Sequence, residues 1–201
     1  MKNSSQTVRP AVGKDALALS ILGTETFTQA YSRVISLDNL KAYTKQAFDP
    51  HLIQQEIETS QAYYALAEVK GTVCGYAQVK PAPAPSEIIM APSIELRRLY
   101  VASKWMGQSI GTALLTHMLA WIQTQRYALC WLRVWEKNPH AIALYERSGF
   151  EITGSEPYHV GTMSETVLIM TKAMAFEPTV RPQNSEGSSY PILCNSVKVR
   201  F

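Results

Sequence analysis

The stretch ELRRLYVASKWMGQSIGT, Glu95 to Thr112, decides the fold. SIELRRLYV, Ser93 to Val101, alternates and is rich in branched and aromatic residues, so it predicts a strand. Period 2 puts Glu95, Arg97, Leu99 and Val101 on one face of it. Residues 107–126 show helical spacing, with Ile110, Leu114, Leu115, Met118, Leu119 and Ile122 on one arc. A strand thus feeds a helix through a short loop that holds Gly107 and Gly111. The first N–H groups of a helix lack intrahelical partners and sit at the positive end of its dipole. Small residues there let an anion approach the backbone, so Gly107, Gln108, Ser109, Ile110, Gly111 and Thr112 form a candidate diphosphate seat. No GK[ST] follows, which excludes a P-loop, and the GxGxxG fingerprint of dinucleotide folds is missing. An ordinary helix start with Gly111 packed on a strand would use the same residues, so this stretch alone leaves both readings open.

Upstream, Gln6 to Pro10 is a short strand and a helix follows from about Lys14, with Ala18, Ile21 and Leu22 on its stripe. Asp49-Pro50 is an N-cap and N1 pair that opens a helix through Ile53 and Ile57. YYALAEV and VCGYAQV are strands joined across Lys70-Gly71-Thr72 as a hairpin. Pro81, Pro83 and Pro85 predict a loop over residues 81–87. Downstream, Ala128 to Trp135 is apolar nearly throughout, as expected of a strand covered on both faces. Asn138-Pro139 opens another helix, which Gly149 closes as the C′ residue. Phe150 to Tyr158 and Thr166 to Thr171 are the last two strands. The fold class is mixed α/β (α+β).

Charged residues are 17% of the 201 and the net charge is +3, with no basic run, so a nucleic-acid partner is not expected. No stretch approaches the 18 apolar residues that a membrane helix needs, and no secretory signal opens the chain. Cys74, Cys130 and Cys194 are scattered and odd in number. That predicts neither a disulfide framework nor a metal site, and fits a reducing, cytoplasmic setting. His51, His117, His140 and His159 show no metal-ligand spacing.

Trp135, Asn138, Ala141, Tyr145, Gly149 and Phe150 form a W-x-x-N-x-x-A-x-x-x-Y-x-x-x-GF pattern. Together with the LYV strand end and the glycine-bearing loop, it resembles the GNAT superfamily of acetyl-CoA-dependent N-acetyltransferases. The resemblance spans roughly residues 7–174. It implies residues 1–174 as one domain and residues 175–201 as an extension of unknown role. It further implies a central, mostly antiparallel sheet of about seven strands with about four helices around it. Met106 stands where the family has Gln or Arg, and Ser109 replaces the first motif glycine.

The resemblance also implies the chemistry. Acetyl-CoA is the cosubstrate, and the acceptor is a primary amine of a small molecule or peptide, polyamines among them. The main chain of Leu99, Tyr100 and Val101 would hold the pantetheine, with an N–H near Val101 as oxyanion donor. Gly107 to Thr112 would take the pyrophosphate, and Asn138 would hydrogen-bond the cofactor arm while capping its helix. Lys104 and Lys137 flank the phosphate region. Tyr145, two turns along the same helix, is the general acid, although the same position suits a core aromatic. Glu95 is the general base, or else the partner of Arg97 or Arg98 in a salt bridge. Glu156 and Glu165 are carboxylates that would meet a cationic amine. A non-catalytic acyl-CoA-binding protein is the alternative. Residues 175–201 form a polar linker and an apolar end, either a free tail or a segment that docks on a second subunit in a homodimer.

Overall fold

A computed structural model describes residues 6–85, 92–160 and 163–174. Part of the proline-rich loop, Cys194 and the whole 175–201 extension lie outside these residues. β1 (Gln6–Pro10) leads through a single 3₁₀ turn into α1 (Ala16–Tyr31), followed by α2 (Leu37–Ala47) and α3 (Pro50–Glu58). β2 (Tyr63–Val69) and β3 (Thr72–Pro81) come next, then β4 (Ser93–Val101) and α4 (Ile110–Thr124). β5 (Leu129–Trp135), α5 (Pro139–Arg147), β6 (Glu151–Val160) and β7 (Met163–Ala173) complete the described chain.

Local chemistry explains the boundaries. Asp49 Oδ1 accepts from the His51 N–H at 2.8 Å and Pro50 fills N1, so α3 starts where the sequence predicts. Ser36 caps α2, the one helix that hydrophobic spacing does not single out. Lys70 and Gly71 both have positive φ, as a two-residue hairpin turn between β2 and β3 requires. Pro81 is the last residue of β3, paired with Ile94, and not part of the loop. β2 stops pairing at Tyr63↔Val79, so Pro81 gives up no ladder bond to that side. On α1 the buried side is Ala16, Leu19, Leu22 and Phe27, while Ile21 faces solvent at 51% exposure.

The strands form one seven-stranded sheet in the order β1-β2-β3-β4-β5-β7-β6. Every pair is antiparallel except β4 with β5. The register of β4 on β3 shifts between Gln78↔Arg98 and Val79↔Leu96, which leaves Arg97 as the extra residue of a bulge. Strict alternation along β4 therefore fails. Ile94, Leu96, Leu99 and Val101 all belong to the core under α4. Glu95, Arg98 and Tyr100 face the side covered by α1, α2 and α3. Glu95 thus does not share a face with Leu99 and Val101.

The α4 side is lined by small residues, Ala65, Ala67 and Ala77, which let Leu114, Leu115, Met118 and Ile122 seat on the strands. The opposite side is aromatic: Phe27 stacks on Tyr43 at 4.5 Å between ring centres, and Tyr76 meets Tyr100 edge-on at 5.5 Å. The Glu56 carboxylate ties α3 to this side. It accepts from Tyr64 at 2.6 Å, Gln78 at 2.9 Å and Lys80 at 2.8 Å.

Gly23 of α1 lies against this aromatic layer. A Cβ there would stand 2.6 Å from both Phe48 Cδ1 and Tyr76 Oη. Both rings are almost wholly buried and have nowhere to retreat. Alanine gains about 1 kcal/mol of helix propensity over glycine, but overpacking costs about 1–3 kcal/mol. Gly23→Ala is expected to lower the urea midpoint of unfolding; a midpoint at or above that of the parent protein would contradict the close contact.

Candidate active site

β4 and β5 run side by side only over Ser93↔Leu129, Ile94↔Cys130 and Glu95↔Trp131. Beyond that, β4 stays with β3 as far as Gly75↔Val101 and β5 stays with β7 as far as Trp135↔Val167. The two strands diverge. Among the described residues no strand pairs with the edge of β4 from Leu96 to Val101 that faces the gap. Backbone N–H and C=O groups on such an edge are open to an extended ligand that carries amides. Leu99, Tyr100 and Val101 lie on it, where the sequence places them.

The loop after β4 is shaped for an anion. Gly107 has φ +75 and open space where a Cβ would stand, with no atom within 4 Å, and Ser109, the N-cap of α4, has φ +60 and ψ 11. Left-handed residues in a loop can turn successive N–H groups toward one side, and these two residues directly precede a fifteen-residue helix. The Ser109 side chain makes no capping bond. Met106, Gly107, Gln108 and Ser109 are exposed, as is Thr112, while Ile110 is buried and anchors the helix. Gly111 does not pack tightly on a strand: a Cβ would be 3.5 Å from Leu144 of α5 and 3.8 Å from Val101. The residues present fit a diphosphate at this helix start.

Asn138 caps α5 through Oδ1, which accepts from the Ala141 N–H at 3.1 Å. Its exposed amide nitrogen has no partner among the described residues and remains a donor. Tyr145, two turns on, is 8% exposed and meets Phe150 edge-on at 5.8 Å. Its hydroxyl has no hydrogen-bond partner among the described residues. Burial, reinforced by the nearby Cys130 and Tyr31, pushes its phenol well above the ordinary value, so it keeps its proton at neutral pH. Tyr31 belongs to the Phe27 cluster on the opposite face of the sheet. Burial likewise pushes the Cys130 thiol up to about 12, which leaves it an un-ionised core side chain.

The Glu95 carboxylate accepts from Arg133 Nη1 at 2.9 Å, and not from Arg97 or Arg98. Arg133 also pairs with Glu156 and lies 4.6 Å over the Trp131 ring. Glu165 is held by Lys137 at 2.7 Å and by the Trp135 indole N–H at 3.2 Å. These partners keep its carboxyl below the usual range. A cavity of about 470 Å³ opens beside these groups, with Glu136, Lys137, Glu156 and Glu165 on its wall. Lys104 stands over Trp105. Among the described residues no three His, Cys, Asp or Glu side chains come close enough to hold a metal ion.

Sequence reading did not find the ring of residues on the other side of the gap. Tyr31 of α1 meets Trp135 of β5 at 5.6 Å, and the Tyr43 hydroxyl of α2 lies 3.4 Å from that of Tyr158 on β6. α1 and α2 lie far along the chain from β5 and β6, and only the tertiary fold brings the two pairs to one place.

The comparisons with known proteins agree with this geometry. Residues 28–150 match the family model for the acetyltransferase (GNAT) family. An uncharacterised N-acetyltransferase of Lactobacillus delbrueckii subsp. lactis is 21% identical over 80% of this chain and 93% of its own length. A 5-NmdU N-acetyltransferase of Pseudomonas phage PaMx11 is 25% identical over 63% of this chain and 84% of its own. Among solved structures, the PaiA N-acetyltransferase of Thermoplasma acidophilum, in complex with coenzyme A, aligns with a TM-score of 0.69 at 21% identity, covering 84% of this chain and 99% of that one. A diverging strand pair, a left-handed loop at a helix start and a family match over most of the described chain lead to one conclusion: the chain belongs to the acetyltransferase (GNAT) family, an acyltransferase whose cosubstrate is acetyl-CoA.

Proposed function

We propose that this protein transfers the acetyl group of acetyl-CoA to a primary amine of a small molecule or peptide by direct attack. The observation that carries this reading is the parting of β4 and β5 with Glu95 on one face and Tyr145 on the other. Acetyl-CoA, when bound, supplies an acetyl group activated as a thioester. The free edge of β4 at Leu99, Tyr100 and Val101 orients the pantetheine. Gly107, Gln108, Ser109, Ile110, Gly111 and Thr112 hold the pyrophosphate, and the free amide of Asn138 takes the arm. Glu95, at the neck of the gap on the acceptor side, accepts the proton that the ammonium must lose. Arg133 keeps that carboxylate in place between β4 and β5. Tyr145, on the α5 side, gives its phenolic proton to the departing thiolate and regains one from water. Base and acid thus work from opposite sides of the reacting carbonyl, and neither has to change role.

Tyr145→Phe is expected to keep the fold and the CoA affinity while turnover falls at least tenfold; turnover equal to the parent's would remove Tyr145 from the mechanism. Thiol release from acetyl-CoA across a panel of amines separates an enzyme from a non-catalytic acyl-CoA-binding protein. The latter would show thermal stabilisation by CoA and no thiol release with any acceptor.

In Glu95→Gln turnover should fall and the pH–rate profile should change shape, because the acceptor for the ammonium proton is gone. A profile of unchanged shape would assign Glu95 to the ion pair alone.

A left-handed backbone costs a non-glycine residue about 1–2 kcal/mol. Ser109→Gly is therefore expected to raise stability by up to about 1 kcal/mol, part of the relief being offset by chain entropy. The KM for acetyl-CoA should not rise, since backbone N–H groups make the seat. A KM increase of tenfold would show that the hydroxyl itself holds the phosphate.

A further inference from the structure

Between α1, α2 and the start of α3 lies a second cavity, of about 500 Å³, and none of its lining residues belongs to the candidate active site. Ser20 and Thr24 of α1 form one wall, Lys41 and Lys45 of α2 the other, and the Phe48 to Pro50 corner closes the end. Ser20 Oγ donates to the Phe48 carbonyl, which pins that corner to α1. Leu17 and Ile21 lie next to Ser20 and Thr24 on the turns of α1, and Leu52 stands on the first turn of α3 beside His51 of the wall. These three side chains are 61%, 51% and 42% exposed. Large apolar side chains left in water around a recess mark a surface that another molecule covers.

The charges on the wall select the occupant. Lys41 and Lys45 stand one turn apart on α2, and neither forms an ion pair with a described residue, whereas Arg9, Lys80, Arg133 and Lys137 each hold a carboxylate. The single carboxylate among the lining residues, Asp49, is turned to its own helix, where Oδ1 accepts from the His51 and Leu52 N–H groups. A second copy of the chain is a poor match, since in a two-fold contact this patch would meet itself, lysines against lysines. The extension over residues 175–201 has Glu177 and Glu186 against Arg181, Lys198 and Arg200, so its excess charge is positive as well. An anionic bilayer has the right sign but is flat and cannot fill a recess. A side chain projecting from a helix can. We propose that this surface docks an acidic, amphipathic helical segment of another protein. Its apolar side chains lie on Leu17, Ile21 and Leu52 and enter the cavity, and its carboxylates meet Lys41 and Lys45. This contact is separate from acetyl transfer and holds whatever the acceptor is.

The test uses three labelled eighteen-residue helical peptides and the full chain, saturated with CoA so that the helix start of α4 is not available to peptide carboxylates. One peptide has leucine along one face and glutamate on the rest, the second has lysine in place of glutamate, and the third has serine in place of leucine. Fluorescence anisotropy should show the leucine–glutamate peptide binding at least tenfold more tightly than either of the others, and its affinity should fall as salt is added. The double variant Lys41→Glu, Lys45→Glu should reverse the preference, so that the leucine–lysine peptide binds better. Ile21→Ser should weaken the leucine–glutamate peptide severalfold. All three positions are exposed, so the melting temperature of each variant should match the parent's. Equal binding of the acidic and basic peptides, no binding of either, or an acidic preference that survives the double variant overturns the proposal. Two further measurements assign the surface to another occupant and overturn it equally: a parent dimer that Ile21→Ser makes monomeric, which points to a second copy, and sedimentation with phosphatidylserine vesicles that the double variant loses, which points to a membrane.

Discussion

After Glu95 and Trp131 the backbones of β4 and β5 go separate ways, and the placement of every candidate group follows from that. A sheet ordinarily satisfies its own N–H and C=O groups, and an edge opened in its middle leaves them for something else. Here the opening lies between two strands that each feed a helix. The free edge, the α4 start and the α5 start therefore surround one space. α1, α2 and the β6–β7 hairpin close the other side. On the proposed reading, a long, amide-bearing molecule enters from the helix side and an amine from the aromatic side, and they meet where the strands part.

Much of this was legible in the sequence. The boundaries of β4, the caps Asp49-Pro50 and Asn138-Pro139 and the Lys70-Gly71 turn are local chemistry, written in adjacent residues. The loop at Gly107 to Gly111 and the Asn138–Tyr145 spacing were likewise readable, because one strand–loop–helix and one helix contain them. Side-chain direction along β4 was not. One extra residue at Arg97 exchanges the faces on either side of it, and a bulge is set by the pairing with β3, which no local pattern reports. For the same reason the true partner of Glu95 was hidden. Arg133 lies on a different strand, and only the parallel register of Glu95 on Trp131 brings it alongside. Pro81 was misread in the other direction. Proline at a strand end costs nothing where the neighbouring strand has already stopped.

Among the described residues, several charges are arranged in short chains. Arg133 links Glu95 to Glu156, Lys137 holds Glu165, and Arg9 joins Asp15 to Glu68. Each chain ties strands of the sheet or the turns beside them, so charges far apart in the sequence neutralise one another in space. Arg98 departs from that arrangement, having aromatic neighbours and a carbonyl where the others have carboxylates. A net charge of +3 averages over this difference and cannot reveal it.

The same gap bears on the order in which the chain acquires its shape. β1 to β4 and α4 come from one continuous run ending at Thr124, and their strands are antiparallel neighbours in sequence order. β5, β6 and β7 form a second antiparallel group, attached to the first by the short ladder at Ser93, Ile94 and Glu95 and by the ion pair of Glu95 with Arg133. During synthesis the first group can assemble while the second is still being made, since its pairings are local and need no later segment. The free edge of β4 is then simply an outer edge of the sheet, and becomes a cleft only when β5, β6 and β7 arrive. A ribosome-bound chain stopped after α4 would carry the candidate anion seat and none of the Tyr145 side, which α5 supplies only later.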